Sequence, residues 1–226
     1  MSEKDNIEYK FILIGNSAVG KTTLFKKVTT GEFSEKNIST IGVDKKSFQI
    51  DVDVTEKGKT STKNFKISLF DTAGQEKFRS ITKAYYKGAD CILLMYNITN
   101  RVSYDNVSLW IESIHTSLGD HNSEEYLIIL IGNKKDLIGV DGLKRCVEEE
   151  EAEKQCKDKG LVWGGECSIK DFSCSDLKEL IKGFTKQIYE KIGQKKVGEQ
   201  KVKSINLKKK VENRNKPGLC NCRNVE

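Results

Sequence analysis

The first residues able to do chemistry are Gly15, Asn16, Ser17, Ala18, Val19, Gly20, Lys21 and Thr22, with Thr23 following. They follow the apolar run Phe11–Ile14 and match the spacing G-x-x-x-x-G-K-[ST]. A strand-to-helix loop of this kind holds anions. Gly15 and Gly20 let the backbone turn tightly and pass close to phosphate oxygens. Successive N–H groups from Ser17 to Thr23 then point inward, at the positive end of the helix dipole. Lys21 adds a point charge for the outer phosphates, and Thr22 offers a hydroxyl to Mg²⁺. Such a cradle serves ATP as well as GTP.

The choice of base comes from later in the chain. After the apolar run ending at Gly132 stand Asn133, Lys134, Lys135 and Asp136. Guanine presents two adjacent donors, its N1–H and its 2-amino group, and an ionised carboxylate accepts both together. Asp136 can therefore select guanine, because unpaired polar groups penalise the wrong ligand more than an apolar pocket could. The stretch Cys167–Lys170, after the next apolar run, offers backbone N–H groups at Ser168 and Ile169 and the stem of Lys170 to cover the base. Asn133, Lys134, Asp136, Ser168, Ile169 and Lys170 form the candidate guanine-binding set, with GTP or GDP as the bound nucleotide.

These loops need a scaffold, and the apolar pattern supplies one. Strands are expected at Lys10–Gly15, Asp44–Val52, Asn64–Phe70, Cys91–Ile98, Tyr126–Gly132 and Leu161–Glu166. Helices are expected at Lys21–Thr29, Lys77–Lys87, Ser103–Ser117, Val147–Lys159 and Cys174–Ile192. The last carries a stripe of Leu177, Leu180, Ile181, Phe184 and Ile188 at three- and four-residue steps. Alternating strands and helices imply an α/β fold, a mostly parallel sheet covered on both faces. The exception is Asp44–Phe70, where two strands meet without a helix. The polar stretch Thr55–Asn64 with Gly58 reads as the turn of an antiparallel hairpin.

Composition limits the function classes. Of 39 basic and 33 acidic residues, ten and three lie between Gly193 and Glu226, which leaves 29 and 30 in the preceding part. All of the +6 net charge therefore sits in a segment without apolar periodicity. The reading is a folded body over 1–192 and a flexible basic tail over 193–226. The longest apolar runs, Cys91–Tyr96 and Tyr126–Ile131, are far below the roughly 18 residues of a membrane span. The N-terminus lacks an apolar signal core, and seven cysteines suit a reducing compartment, so a cytoplasmic protein is expected. His115 and His121 read as solvated loop residues, and a His/Cys metal site is not expected. The near-neutral body and a tail without aromatics argue against a nucleic-acid partner.

Several blocks together resemble a small GTPase of the Ras superfamily, with the Rab branch most similar. They are GNSAVGKT from Gly15, STIGVD from Ser39, DTAGQEKFRSI from Asp71, AYYKGAD from Ala84, NITNRVSYDNVSLWI from Asn97, GNKKD from Gly132 and ECSIK from Glu166. The resemblance implies a P-loop NTPase G domain with a six-stranded mostly parallel sheet, one antiparallel hairpin strand and helices on both faces. It implies that Thr40 ligates Mg²⁺ with Thr22 and Asp71 while the γ-phosphate is present. Gly74 would donate its N–H to that phosphate, and Gln75 would orient the attacking water. Arg79 reads as a surface charge, so no arginine finger is supplied, and hydrolysis is expected on the order of 10⁻⁴ to 10⁻³ s⁻¹ unaided.

The implied function is a GTP/GDP switch in vesicle trafficking, on the cytosolic face of an endomembrane. Its implied partners are an exchange factor, a GTPase-activating protein, effectors, and a membrane held through prenyl groups on Cys220 and Cys222. Four residues follow Cys222, and the ending departs from a C-a-a-X signal. Two alternatives are a GTP-binding scaffold with little turnover and a signalling GTPase of another branch. Lys45 and Phe70 stand where Rabs carry Phe and Trp, which with a tyrosine like Tyr86 form an aromatic effector patch. Ile169 replaces an alanine, and Thr55–Asn64 reads as a longer turn than the family's.

Overall fold

The computed structural model describes residues 7–34, 40, 42–56, 58–74, 84–119 and 125–193. Gln75, Arg79, His121, Cys220, Cys222, most of the helix expected at Lys77–Lys87 and the tail from residue 194 lie outside the described residues.

In chain order the elements are β1 (Ile7–Ile14), α1 (Lys21–Thr30), β2 (Val43–Glu56), β3 (Lys59–Thr72), β4 (Cys91–Asn97), α2 (Arg101–Asp105), α3 (Val107–Leu118), β5 (Leu127–Asn133), α4 (Glu149–Lys159), β6 (Val162–Glu166) and α5 (Cys174–Ile188). The strands form one six-stranded sheet in the order β2-β3-β1-β4-β5-β6. The β2–β3 pair is antiparallel and every other pairing is parallel.

The central strands are mostly apolar because both faces are covered, with Glu8 and Lys10 in the first half of β1 as exceptions. Phe11 and Leu13 of β1, with Leu93 of β4 and Ile129 of β5, pack in one layer beneath α1 and α5. Their neighbours Ile12, Ile14, Leu94 and Leu130 pack in the opposite layer, against Trp110 of α3 and Ala152 of α4. The parallel pairing places the C-terminal ends of β1, β3, β4 and β5, and the loops that follow them, along one edge. A doubly wound sheet carries its ligand there.

Local chemistry sets the helix ends. In α5 the Ser173 side chain accepts the Asp176 N–H at 3.1 Å, while the Asp176 carboxylate accepts the Ser173 N–H at 2.8 Å. This reciprocal cap leaves neither donor unpaired. Three glutamates, Glu149 to Glu151, occupy the first turn of α4 and complement its dipole. The helix expected over Ser103–Ser117 starts earlier, at Arg101, and lapses only at Asn106. Bonds from Asn106 N to Val102 O and from Trp110 N to Asn106 O, 3.2 and 3.1 Å, carry the ladder across the lapse. His115 lies in the last turn of α3, not in a loop. The final helix ends at Ile188 and closes with a π turn, Tyr189–Gly193.

The largest departure from expectation is the hairpin. Residues 55–64 are not a polar turn. β2 and β3 stay paired to Glu56↔Lys59, and Gly58 at φ +75° closes the tip. Polarity misled because one face of this ribbon is solvated and built from cross-strand pairs. Thr62 donates to Asp53 at 2.6 Å, Asn64 to Asp51 at 2.8 Å, and the Thr55 and Thr60 hydroxyls bond at 3.2 Å. The opposite face buries Ile50, Val52 and Val54. The far end of the ribbon is fastened to the end of the last helix. Tyr189 donates its hydroxyl to Glu56, and the Lys63 ammonium bonds Glu56 at 2.9 Å while lying 4.8 Å over the Tyr189 ring.

Candidate functional site

The phosphate cradle is shaped by sterics before charge enters. Gly15 and Gly20 hold φ of +136° and +107°. A Cβ on Gly15 would lie 2.2 Å from the Met95 carbonyl oxygen, and one on Gly20 would lie 2.2 Å from Asn133 Nδ2. Both positions thus need glycine for conformation and for space. Ala18 takes a left-handed φ of +60°, a strain of about 1 kcal/mol. Gly74 closes the cradle from the far side, since a Cβ there would meet Lys21 Nζ at 2.2 Å and Asn16 O at 2.6 Å.

Lys21 is buried, 5% exposed, and its ammonium donates to Gly15 O at 2.9 Å and Asn16 O at 2.8 Å. Burial pushes its pKa down to about 8, with Asp71 pulling the other way. Thr22 and Thr40 hydroxyls are 2.6 Å apart, and Thr40 donates to Asp71 Oδ2 at 3.5 Å. Asp71 is fully buried and its Oδ1 has no hydrogen-bond partner. Burial raises its pKa, opposed by the Thr22 hydroxyl and by Lys21. A buried carboxylate oxygen without a partner is costly unless a cation or donor arrives. Two hydroxyls beside a half-satisfied carboxylate are a hard-oxygen set, and they fit Mg²⁺, which binds through few protein oxygens plus phosphates and waters. Among the described residues there is no cluster of three or more His, Cys, Asp or Glu able to hold a metal.

The base end is built differently. A cavity of about 220 Å³ is lined by Gly20, Thr23, Phe33, Lys134, Asp136 and Ile169, among others. Asn133, 3% exposed, donates to Val19 O at 2.8 Å and accepts the Ile169 N–H at 3.1 Å. Its side chain therefore ties the cradle to the Cys167–Lys170 loop. Lys134 turns the chain at φ +72°, and burial lowers its ammonium pKa. Ser168 donates to Asp136 Oδ1 at 2.8 Å and orients the carboxylate. The structure brings together Gly15, Ser17 to Thr23, Thr40, Asp71 and Gly74 at one end, and Asn133, Lys134, Asp136, Ser168, Ile169 and Lys170 at the other.

Some contributors were not visible in the sequence. Phe33, an aromatic just past α1, walls the base cavity. Lys27, a charge beside the apolar stripe of α1, is buried against the base loop. Trp110 Nε1 donates to Asn16 Oδ1 at 2.8 Å and braces the cradle from α3. Arg145 grips Glu166 with both terminal nitrogens, at 2.5 and 2.8 Å, directly before the base loop. The departure at Lys45 and Phe70 from the family's aromatic patch extends to its tyrosine. Tyr86 is fully buried in the layer under α3, and the half-buried Tyr85 packs there beside Phe70. Lys45 and Lys10 place their ammonium groups 5.3 and 5.0 Å from the Phe70 ring centroid.

Comparison with known proteins gives a consistent picture. The family model described as Ras family matches residues 10–190. Ras-related protein Rab-26 of Bos taurus is 38% identical over 157 residues, covering 69% of this chain and 55% of that protein. Ras-related protein YPTC6 of Chlamydomonas reinhardtii is 41% identical over 165 residues, 71% of this chain and 69% of that protein. Ras-related protein Rab-8A of Pongo abelii is 40% identical over 153 residues, 68% of this chain and 66% of that protein. The chain spans about half the length of the Rab-26 relative it matches.

Proposed function

The chain belongs to the Ras family, within its Rab branch, and on that premise we propose that it is a slow GTPase whose nucleotide state controls partner binding at a membrane. One observation carries this reading. A buried lysine, two touching hydroxyls and a carboxylate with an unpartnered oxygen meet at one end of a cleft whose other end holds an oriented carboxylate.

The residues divide the work. Lys21 and the N–H groups of the cradle neutralise the outer phosphates, whose charge in turn suits the buried ammonium. Thr22, Thr40 and Asp71 would hold Mg²⁺, which when bound neutralises charge on the β and γ oxygens. Asp136 accepts the N1–H and 2-amino donors of guanine. Thr40 and Gly74 sit on the segments before β2 and after β3, so loss of the γ-phosphate removes a partner from both ends of the hairpin at once. Gln75, the residue after Gly74, orients the attacking water, and an activating protein supplies the missing cation. The basic segment from Gly193, with lipids on Cys220 and Cys222, anchors the body to a membrane on its cytosolic side. Among the described residues no helix is long and apolar enough to cross a membrane.

Calorimetry against GDP and ADP tests the base reading, with at least about hundredfold preference for GDP expected from the paired donors. Equal affinities would sink it. For the timer, Gln75→Leu should slow turnover with an activating protein and leave GDP affinity within about twofold of the parent. Unaltered assisted hydrolysis would remove Gln75 from the mechanism.

A further inference from the structure

Lys27 lies in the last turn of α1, and its ammonium donates to Ile169 O at 2.9 Å and Lys170 O at 2.7 Å. It also sits 5.2 Å over the Phe33 ring. Ile169, Lys170 and Phe33 all line the base cavity, whereas Lys27 does not, so it grips the loop from behind. A lysine ammonium has three donors and no acceptor, and two of them are spent on this loop.

Geometry makes the contact more than a brace. In a trans peptide the C=O and N–H point in opposite directions. Drawing the Ile169 carbonyl toward α1 turns the Lys170 N–H away from α1, and Lys170 lines the cavity. The preceding donor, the Ile169 N–H, is held by Asn133 Oδ1 at 3.1 Å. The loop is clasped on its other flank by the Arg145–Glu166 pair. The same helix that opens at the phosphate cradle with Lys21 therefore closes by aiming the backbone that meets the base.

We propose that Lys27 is a positioning residue for the nucleotide base. It presets the Ile169–Lys170 peptide to donate to a 6-oxo purine, and it thereby sets how slowly that nucleotide leaves. This role rests on the reading that the cleft takes a guanine nucleotide. A 6-oxo group is an acceptor and matches an N–H donor, while the 6-amino group of adenine opposes one with another. The 2-amino group lies on the Asp136 side and is untouched by Lys27.

The test uses the full chain, a fluorescent GDP for release kinetics, and competition by GDP, inosine diphosphate and ADP. Lys27→Met is expected to release fluorescent GDP about tenfold faster or more, the effect of losing charge-assisted hydrogen bonds. GDP and inosine diphosphate should weaken by the same factor, so their ratio holds. The preference for inosine diphosphate over ADP should narrow by that factor. Lys27→Arg, which keeps a cation with several donors, should restore most of the parent behaviour. Should Lys27→Met fail to fold, Lys27→Ala gives the same ratio measurement, likewise without donors to the loop. Unchanged release, or one common factor of weakening for all three nucleotides, would overturn the role. A parent chain that does not prefer GDP over ADP would overturn the guanine reading itself, and this role with it.

Discussion

The two ends of the nucleotide cleft solve opposite problems. At the phosphate end charge is gathered and only partly satisfied, with the Lys21 ammonium buried against two carbonyls, Asp71 Oδ1 unpaired and two threonine hydroxyls in contact. At the base end polar groups are spent on one another, with Asn133 bonded at both ends of its amide, Ser168 on Asp136 and Lys27 on two carbonyls. One end stores electrostatic demand that a charged ligand meets. The other stores shape, fixed before any ligand arrives. Affinity should therefore depend most on charge at the first and on fold integrity at the second.

Substitution of Lys21 by Met should show this contrast at its largest. It removes the cation that faces the phosphates, at a cost of about 3 kcal/mol or more in GDP binding, over a hundredfold. Because that ammonium is poorly solvated, the nucleotide-free fold should change by less than about 1 kcal/mol. Calorimetry and urea unfolding read the two quantities, and a large loss of nucleotide-free stability would break the comparison.

Asn133→Ala should behave the other way round. It strands the Val19 carbonyl and the Ile169 N–H, and should lower nucleotide-free stability by about 1–3 kcal/mol, read by urea unfolding. Full stability with weakened binding would mean that the base end is not preset after all.

A smaller effect sharpens the phosphate side through pH. The Lys21 pKa is lowered from 10.5 to about 8 in the nucleotide-free fold. Below pH 8 the ammonium is already charged and binding takes up no proton. Above pH 8 binding must take one up, so GDP affinity measured in a chelator falls by at most about tenfold per pH unit. Stability of the nucleotide-free fold moves oppositely, because the unfolded chain keeps its proton up to the ordinary value and unfolding is then the step that takes up a proton. Titrations from pH 7 to 9.5 check both slopes, and a GDP affinity flat across that range would remove Lys21 from the charge account.

The legible and hidden parts of the molecule differ in a physical way. The cradle was readable because its residues are consecutive and each type answers a local need of turn, charge or hydroxyl. The strands β1, β4 and β5 were readable because burial on both faces leaves unbroken apolar runs, Phe11–Ile14, Cys91–Tyr96 and Leu127–Ile131. The antiparallel hairpin was read correctly, but its length was not, because its outer face is polar while alternate residues, Ile50, Val52 and Val54, are buried. Lys27 and Asn133 were missed or given other parts because their partners stand 142 and 114 residues away along the chain. Whether a polar side chain is a solvated surface group or a buried tie depends on such contacts, and no spacing rule carries that information. Tyr86 shows the same limit, since its type suits a docking surface as well as a core and only packing decides.

The strand β2 closes one side of the sheet with fourteen residues that, among the described residues, pair only to β3. Backbone donors and acceptors along such a rim invite strand-to-strand polymerisation. Lys45, Lys46, Asp51 and Asp53 project from it into solvent as charged gatekeepers, so copies at high concentration meet ionic friction where they would otherwise zip together.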